Sequence, residues 1–143
     1  MTGIIVLVVV LAVTAAYGLI WQKRNGRMRA ARSPARPGEA QGETLTEAEI
    51  GTPLGGRATL VQFSSAFCAP CRATRVILAD VASKVDGVTH VEIDAESHLD
   101  LVGRLDIRRT PTVLVLGPDG RITRRASGLP RKADVLAALG EVG

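Results

Sequence analysis

Cys68 and Cys71 are the only cysteines in the 143-residue chain, and they stand two residues apart in "FCAPC". Such a pair can hold a metal, carry a haem, staple a fold or exchange disulfides. A structural zinc needs four ligands. The remaining candidates, His90 and His98, lie eight residues apart, wider than paired zinc histidines. Haem attachment needs His directly after the second Cys, and Arg72 stands there. An iron–sulfur cluster lacks ligands, and one pair of cysteines makes no disulfide framework. No metal is therefore expected. Thiol–disulfide exchange remains, with inert buried cysteines as the bland alternative.

The flanking sequence favours exchange. "ATLVQFS" (58–64) reads as a buried strand. "CAPCRATRVILADVASKV" follows, with Ile77, Val81 and Val85 at four-residue steps and Leu78 and Ala82 beside them, the stripe of a helix. Pro70 suits its first turn. Cys68 thus falls where a helix opens, and unpaired N–H groups there favour thiolate over thiol. The thiolate is the attacking species. Cys71, one turn further in, is placed to resolve a mixed disulfide, and Ala69 and Pro70 keep the turn compact.

Other elements must position that turn. "VTHVEID" (88–94) is a second strand, and "SHLDLVGRLDI" (97–107) a short helix with Ser97 as N-cap and Leu101 and Leu105 inward. "TVLVLG" (112–117) and "RITRRAS" (121–127), joined by "PDG", form an antiparallel hairpin. A last helix starts near Pro130, with Val135, Leu136 and Leu139 facing inward. The order predicts an α/β fold. Its central sheet is mixed, parallel in the first half and antiparallel in the C-terminal hairpin, with flanking helices.

These segments resemble the thioredoxin family. "LVQFSSAFCAPCRATRVILADVA" is similar to its active-site strand and helix. "RRTPTVLVLGPDGRITRRASG" is similar to the later segment with a cis Thr-Pro bond. The resemblance covers roughly residues 58–140. It implies a thioredoxin-like fold with Cys68 as nucleophile and Cys71 as resolving cysteine. It also implies a cis Thr110-Pro111 bond, barring metal from the thiols and letting the Thr110 backbone pair with an extended substrate. Gly128 corresponds to the glycine beside the substrate groove, and Phe67 to the aromatic residue before the first Cys. No cofactor beyond the Cys68–Cys71 disulfide is implied.

The chain departs from the family pattern at several points. Ala69-Pro70 replaces Gly-Pro. Gln62 replaces the buried acid credited with deprotonating the resolving thiol, and Gln takes no proton. Val76 stands for the helix proline and Ser64 for a Trp. The stretch before the core strand is short for a complete first strand and helix. His90 occupies the position where the family often carries a Lys facing the acid. We expect His90 to replace the lost proton relay near Gln62, a solvent-exposed strand-end histidine being the alternative.

Ahead of this domain (44–143), residues 3–21 carry no charge. As a helix they extend about 28 Å, close to the ~30 Å of bilayer hydrocarbon. Tyr17 and Trp21 suit the interface. No basic n-region marks a cleaved signal peptide, so an uncleaved transmembrane helix is expected. Residues 22–43 read as a basic, Pro- and Gly-rich linker. Lys23, Arg24, Arg27, Arg29, Arg32 and Arg36 follow the span without an intervening acid. This accounts for the net charge of +4, since residues 44–143 hold 12 Lys+Arg and 12 Asp+Glu. Such a cluster suits anionic lipid and excludes a nucleic-acid-binding domain, whose basic patch lies on the fold. The positive-inside rule puts the N-terminus outside and the domain in the cytoplasm, an extracytoplasmic domain being the alternative.

The expected activity is that of a membrane-tethered protein-disulfide oxidoreductase of the reductase type. Its partners are disulfide-containing proteins, the bilayer, and a dithiol electron donor such as a thioredoxin reductase or a membrane redox protein. The alternative is a non-catalytic redox sensor or docking module of a membrane complex.

Overall fold

The computed structural model describes residues 1–24, 29–30 and 43–142. Its elements in chain order are α1 (Thr2–Arg24), β1 (Arg29–Ala30), α2 (Glu47–Ile50), β2 (Ala58–Ser64), α3 (Ala69–Lys84), β3 (Val88–Asp94), α4 (Leu99–Arg104), β4 (Thr112–Leu116), β5 (Ile122–Ser127) and α5 (Lys132–Gly140). The linker expected over 22–43 lies outside the described residues apart from its ends and Arg29–Ala30.

The sheet runs in the order β1-β5-β4-β2-β3. β2 and β3 are parallel, while β2–β4 and β4–β5 are antiparallel. This is the expected mixed sheet, and it follows from the connections. A helical crossover, α3, joins β2 to β3, and a tight turn joins β4 to β5. All seven residues of β2 are buried, as befits a central strand covered on both faces. Ala58 and Leu60 point to one core with Leu78, Val81, Val113, Val115 and Val135. Val61 and Phe63 point to the other, with Leu101, Leu105, Ile93 and Leu114. Period-two alternation thus locks β2 between two layers. Residues before β2 lie along the opposite edge from β3. Leu45 N–H donates to Gly120 O (2.9 Å), Ile122 N–H to Glu43 O (2.9 Å), and β1 pairs with β5.

Three local expectations need correction. The helix expected over 97–107 is shorter, and Ser97 does not cap it. Asp94 instead accepts from Glu96 N–H (3.0 Å) and Ser97 Oγ (2.7 Å), closing a 3-10 turn at Ala95–Ser97 before α4 begins. A carboxylate with two acceptor oxygens outcompetes the hydroxyl as local cap. Leu136 is exposed. The inward face of α5 is Val135, Ala138 and Leu139. On α3 the fully buried stripe is Cys71, Thr74, Leu78 and Val81, with Ile77 and Val85 only half-buried. Cys71 is itself a core residue.

Over residues Thr2–Trp21 helix α1 is apolar on every side and exposed. Residues Thr2–Trp21 are long and apolar enough to cross a membrane, the single such helix among the described residues. A signal sequence passes the same test.

Candidate active site: a dithiol at the mouth of α3

The buried strand β2 delivers the chain to the edge of the sheet, and four residues separate its end from the start of α3. Between them Phe67 adopts φ 59°, in the left-handed region. A bulky aromatic residue rarely sits there. Its side chain is fully exposed, so no packing within the described residues accounts for the conformation.

Cys68 is the N-cap of α3. Its sulfur accepts from the Cys71 N–H at 3.2 Å. That bond takes up one of the four donors that a helix start leaves unpaired. The helix mouth therefore directs a donor and partial positive charge at Cys68 Sγ, the environment that stabilises a thiolate. The two sulfurs form a disulfide of 2.03 Å, with Cα atoms 5.2 Å apart. Cys68 is half-buried, Ala69 and Pro70 are exposed, and Cys71 is 2% exposed. One sulfur faces incoming molecules and the other faces the core.

Beneath Cys71 lies a polar floor. Gln62, fully buried on β2, donates through Nε2 to the Cys71 carbonyl (2.8 Å) and to Ser64 Oγ (2.9 Å). Its Oε1 lies 3.2 Å from His90 Nε2. Both amide hydrogens are committed, so Oε1 must accept and His90 Nε2 must carry the hydrogen. Burial holds the His90 imidazole below its ordinary value of 6.5. The Glu92 carboxylate opposes that shift, and Arg75 reinforces it. Arg75 grips Glu92 with two bonds, Nε–Oε2 at 2.5 Å and Nη2–Oε1 at 2.7 Å. The Arg75 hydrogen bond is the main cause of the lowered Glu92 carboxyl, and a bond from Ser64 adds to it. Hydrogen bonds thus join Ser64 to Gln62 and Gln62 to His90, and the charges of the Arg75–Glu92 pair both act on His90. The half-buried His90 lies within β3, not at an exposed strand end, and its hydrogen bond goes to Gln62.

The Thr110–Pro111 peptide bond is cis. Thr110 Oγ1 is 2.7 Å from Ser65 Oγ, which ties this loop to the segment before Cys68. Gly128, at φ 90°, donates its N–H to the Pro111 carbonyl (2.7 Å), so that loop lies alongside. Among the described residues neither the N–H nor the C=O of Thr110 has a hydrogen-bond partner. Among the same residues, no group of three or more His, Cys, Asp or Glu is placed to hold a metal ion. Sequence reasoning missed Ser65 and Ser64 as parts of the site. A serine after a strand carries no signal of its own. It also missed that Gln62 addresses the backbone of Cys71, which only the fold brings within reach.

Comparison with known proteins agrees with this geometry. The thioredoxin family model matches residues 46–141. This chain belongs to the thioredoxin family. A thioredoxin of Alicyclobacillus acidocaldarius is 30% identical over 101 residues, covering 69% of this chain and 95% of that protein. Rice thioredoxin H5 (Oryza sativa subsp. japonica) is 27% identical over 73 residues, or 51% of this chain. The match spans only about half of that relative's length, 54%. Among solved structures, chloroplastic thioredoxin z superposes with a TM-score of 0.55 at 27% identity, covering 61% of this chain and 79% of that one. Family, fold and the Cys68–Cys71 pair together support thiol–disulfide oxidoreductase activity in general terms.

Proposed function

We propose that this thioredoxin-family chain is a membrane-tethered protein-disulfide reductase. The observation that carries the reading is the asymmetry of its sulfurs: Cys68 at the open end of α3 with a donor aimed at it, Cys71 buried one turn below.

The reduced Cys68 thiolate attacks one sulfur of a client disulfide. A mixed disulfide forms and the client's other sulfur leaves as a thiolate. Cys71 then loses its proton and attacks Cys68 Sγ. The client leaves with both sulfurs reduced, and the Cys68–Cys71 disulfide takes its two electrons' worth of oxidation. An external dithiol, from a thioredoxin reductase or a membrane redox protein, returns the chain to the dithiol state. No organic cofactor takes part. The open N–H and C=O of Thr110 pair with an extended client backbone, with Gly128 leaving room beside it and Phe67 touching its side chains. Gln62 holds the turn that carries Cys71. The proton that Cys71 gives up goes to His90, directly or through water, and is taken up at Nδ1, since Nε2 already holds its hydrogen against Gln62.

Helix α1 anchors the domain. The basic residues after it keep the domain in the cytoplasm, where thiols stay reduced and the net reaction is client reduction. Turnover of insulin disulfides with dithiothreitol tests the chemistry, with many equivalents reduced per chain as the expected result. One equivalent or none points to a redox sensor instead. A membrane-impermeant thiol reagent on intact cells tests the placement: Cys68 stays unlabelled until lysis, and labelling before lysis puts the domain outside.

A further inference from the structure

The sheet ends at β3, and nothing among the described residues pairs with its outer side. Ala58 N–H donates to Gly87 O (3.2 Å), which fixes which groups face which way. Amides of alternate residues turn inward, so the main-chain groups of Val88, His90, Glu92 and Asp94 turn outward. At the ends, Val88 N–H bonds Val85 O and Asp94 O lies 2.9 Å from His98 Nδ1. The N–H and C=O of His90 and Glu92 are left without partners among the described residues. A seven-residue edge strand with no proline or bulge, and no covering element among the described residues, is a template for pairing. The opposite edge of the sheet is covered by residues 43–45 and β1, so the exposure is one-sided.

We infer that β3 is a dimerisation edge, at which two copies of this chain join antiparallel through β3 into one continuous sheet. The register is centred on Val91, the middle of the strand. It sets His90 opposite Glu92 of the second copy, so the two outward residues exchange their free N–H and C=O groups in a hydrogen-bonded pair. On that face no carboxylate meets a carboxylate. On the other face Thr89 meets Ile93, and half-buried Val91 meets itself, extending the core that Val91 already borders. Shifting the centre to His90 also pairs outward groups, but it faces His90 with His90 and Glu92 with Val88.

Helix α3 permits the approach. It packs on both β2 and β3. Joining two β3 strands therefore sets the two α3 helices about two strand spacings apart, roughly 10 Å, at the wide end of helix-packing distances of about 8–10 Å. Arg75 reaches Glu92 on β3 while Asp80 reaches Lys132 on α5, so the Arg75 flank faces the open edge. Helical spacing puts Ala79 and Ala82 on that flank, and neither side chain obstructs a neighbour. Arg72 lies near one end of the helix and Asp86 just past the other. Antiparallel copies bring these opposite charges towards each other. The interface is isologous, so it closes at two copies.

The full chain in detergent micelles, with protein mass read by sedimentation equilibrium, is expected to be a dimer. Val91→Lys and Thr89→Lys place like charges in the junction and are expected to weaken association about tenfold or more. Both variants keep α1, so the loss locates the contact in β3. A cooperative melting transition and a wild-type far-UV circular dichroism spectrum show that they fold, the midpoint itself falling as the dimer is lost. Independently, Val91→Cys in a Cys68→Ser/Cys71→Ser background is expected to cross-link to a dimer under copper phenanthroline, whereas Asp119→Cys on the remote turn is not. A monomeric wild type, a mass unmoved by both lysine variants, cross-linking at 119 in place of 91, or a client peptide occupying β3 of a monomer each overturns the proposal. The cross-link needs no active thiol, so its failure leaves the oxidoreductase reading untouched.

Discussion

Above the disulfide, Phe67, Ala69 and Pro70 stand in solvent, and the Thr110 backbone is unpaired among the described residues. Below it, Gln62 is fully buried with every polar atom of its side chain bonded. The lip leaves interactions unmade and holds an aromatic residue in a costly backbone conformation. The floor leaves nothing unmade. A partner can take up what the lip offers only because the floor fixes the geometry of the turn that carries both sulfurs. Damage to the lip should therefore change what the protein does to others. Damage to the floor should change its own stability and the second half of its cycle.

The largest effects test the division between the sulfurs themselves. Cys68→Ser is expected to reduce insulin turnover to background, a loss of about a thousandfold or more. Cys71→Ser keeps the attacking group and is expected to stop after one event, with a client chain covalently held on Cys68. Mass spectrometry under non-reducing conditions reads that adduct. If Cys71→Ser turns over freely, the buried sulfur is not the resolving one and the asymmetry means nothing for catalysis.

Gln62→Leu breaks the floor at its centre. It leaves the polar groups of Ser64 and His90 that face Gln62 unmet and removes the side-chain bond to the Cys71 carbonyl, which keeps its helical partner. Each unmet buried group costs about 1–3 kcal/mol. Urea unfolding of the oxidised chain is expected to show a loss in that range, while attack by Cys68 keeps its rate. A slower attack with unchanged stability would place Gln62 in the lip's business.

Phe67→Gly tests the lip from the other side. A left-handed conformation costs a non-glycine residue roughly 1–2 kcal/mol, and glycine relieves it with a smaller entropic loss of about 0.5–1 kcal/mol. Stability is expected to hold or rise slightly while kcat/KM for protein disulfides falls several-fold. A clear drop in stability would mean that the ring supports the fold.

The two regions were unequally legible in the sequence. The cysteine pair, its place at a helix start and the mixed sheet are local signals or follow from spacing, and they read correctly, whereas the cis Thr110–Pro111 bond is expected only from the family resemblance. The Ser97 cap misread because Asp94 draws Ser97 into a 3-10 turn ahead of α4, and the inward Leu136 because the packed face of α5 is Val135, Ala138 and Leu139. The floor depends on β2, β3 and α3 meeting. Gln62 and His90 are 28 residues apart and become neighbours only through the parallel register that aligns Leu60 with His90. The Ser65–Thr110 contact spans 45 residues, and no periodicity announces it.

His90 gives the smallest and sharpest contrast. Burial lowers its affinity for a proton, so the folded imidazole titrates below 6.5 while the unfolded one titrates near it. Between the lowered folded value and 6.5 the unfolded chain then binds more protons than the native one. The contribution of neutral His90 is complete above 6.5 and is lost as pH falls through the lowered folded value. His90→Gln keeps a donor for Gln62 Oε1 but cannot titrate. Its stability is expected to fall less than that of wild type between pH 6.5 and 5, in paired urea titrations. The same variant separates holding from proton transfer. If His90 only holds Gln62, His90→Gln resolves a preformed Cys68 mixed disulfide as fast as wild type at every pH. If His90 accepts the Cys71 proton, resolution slows by several-fold near neutral pH, its pH dependence flattens, and attack by Cys68 is unchanged. Equal rates in both steps would leave the floor as scaffold alone, with the Cys71 proton passing to solvent.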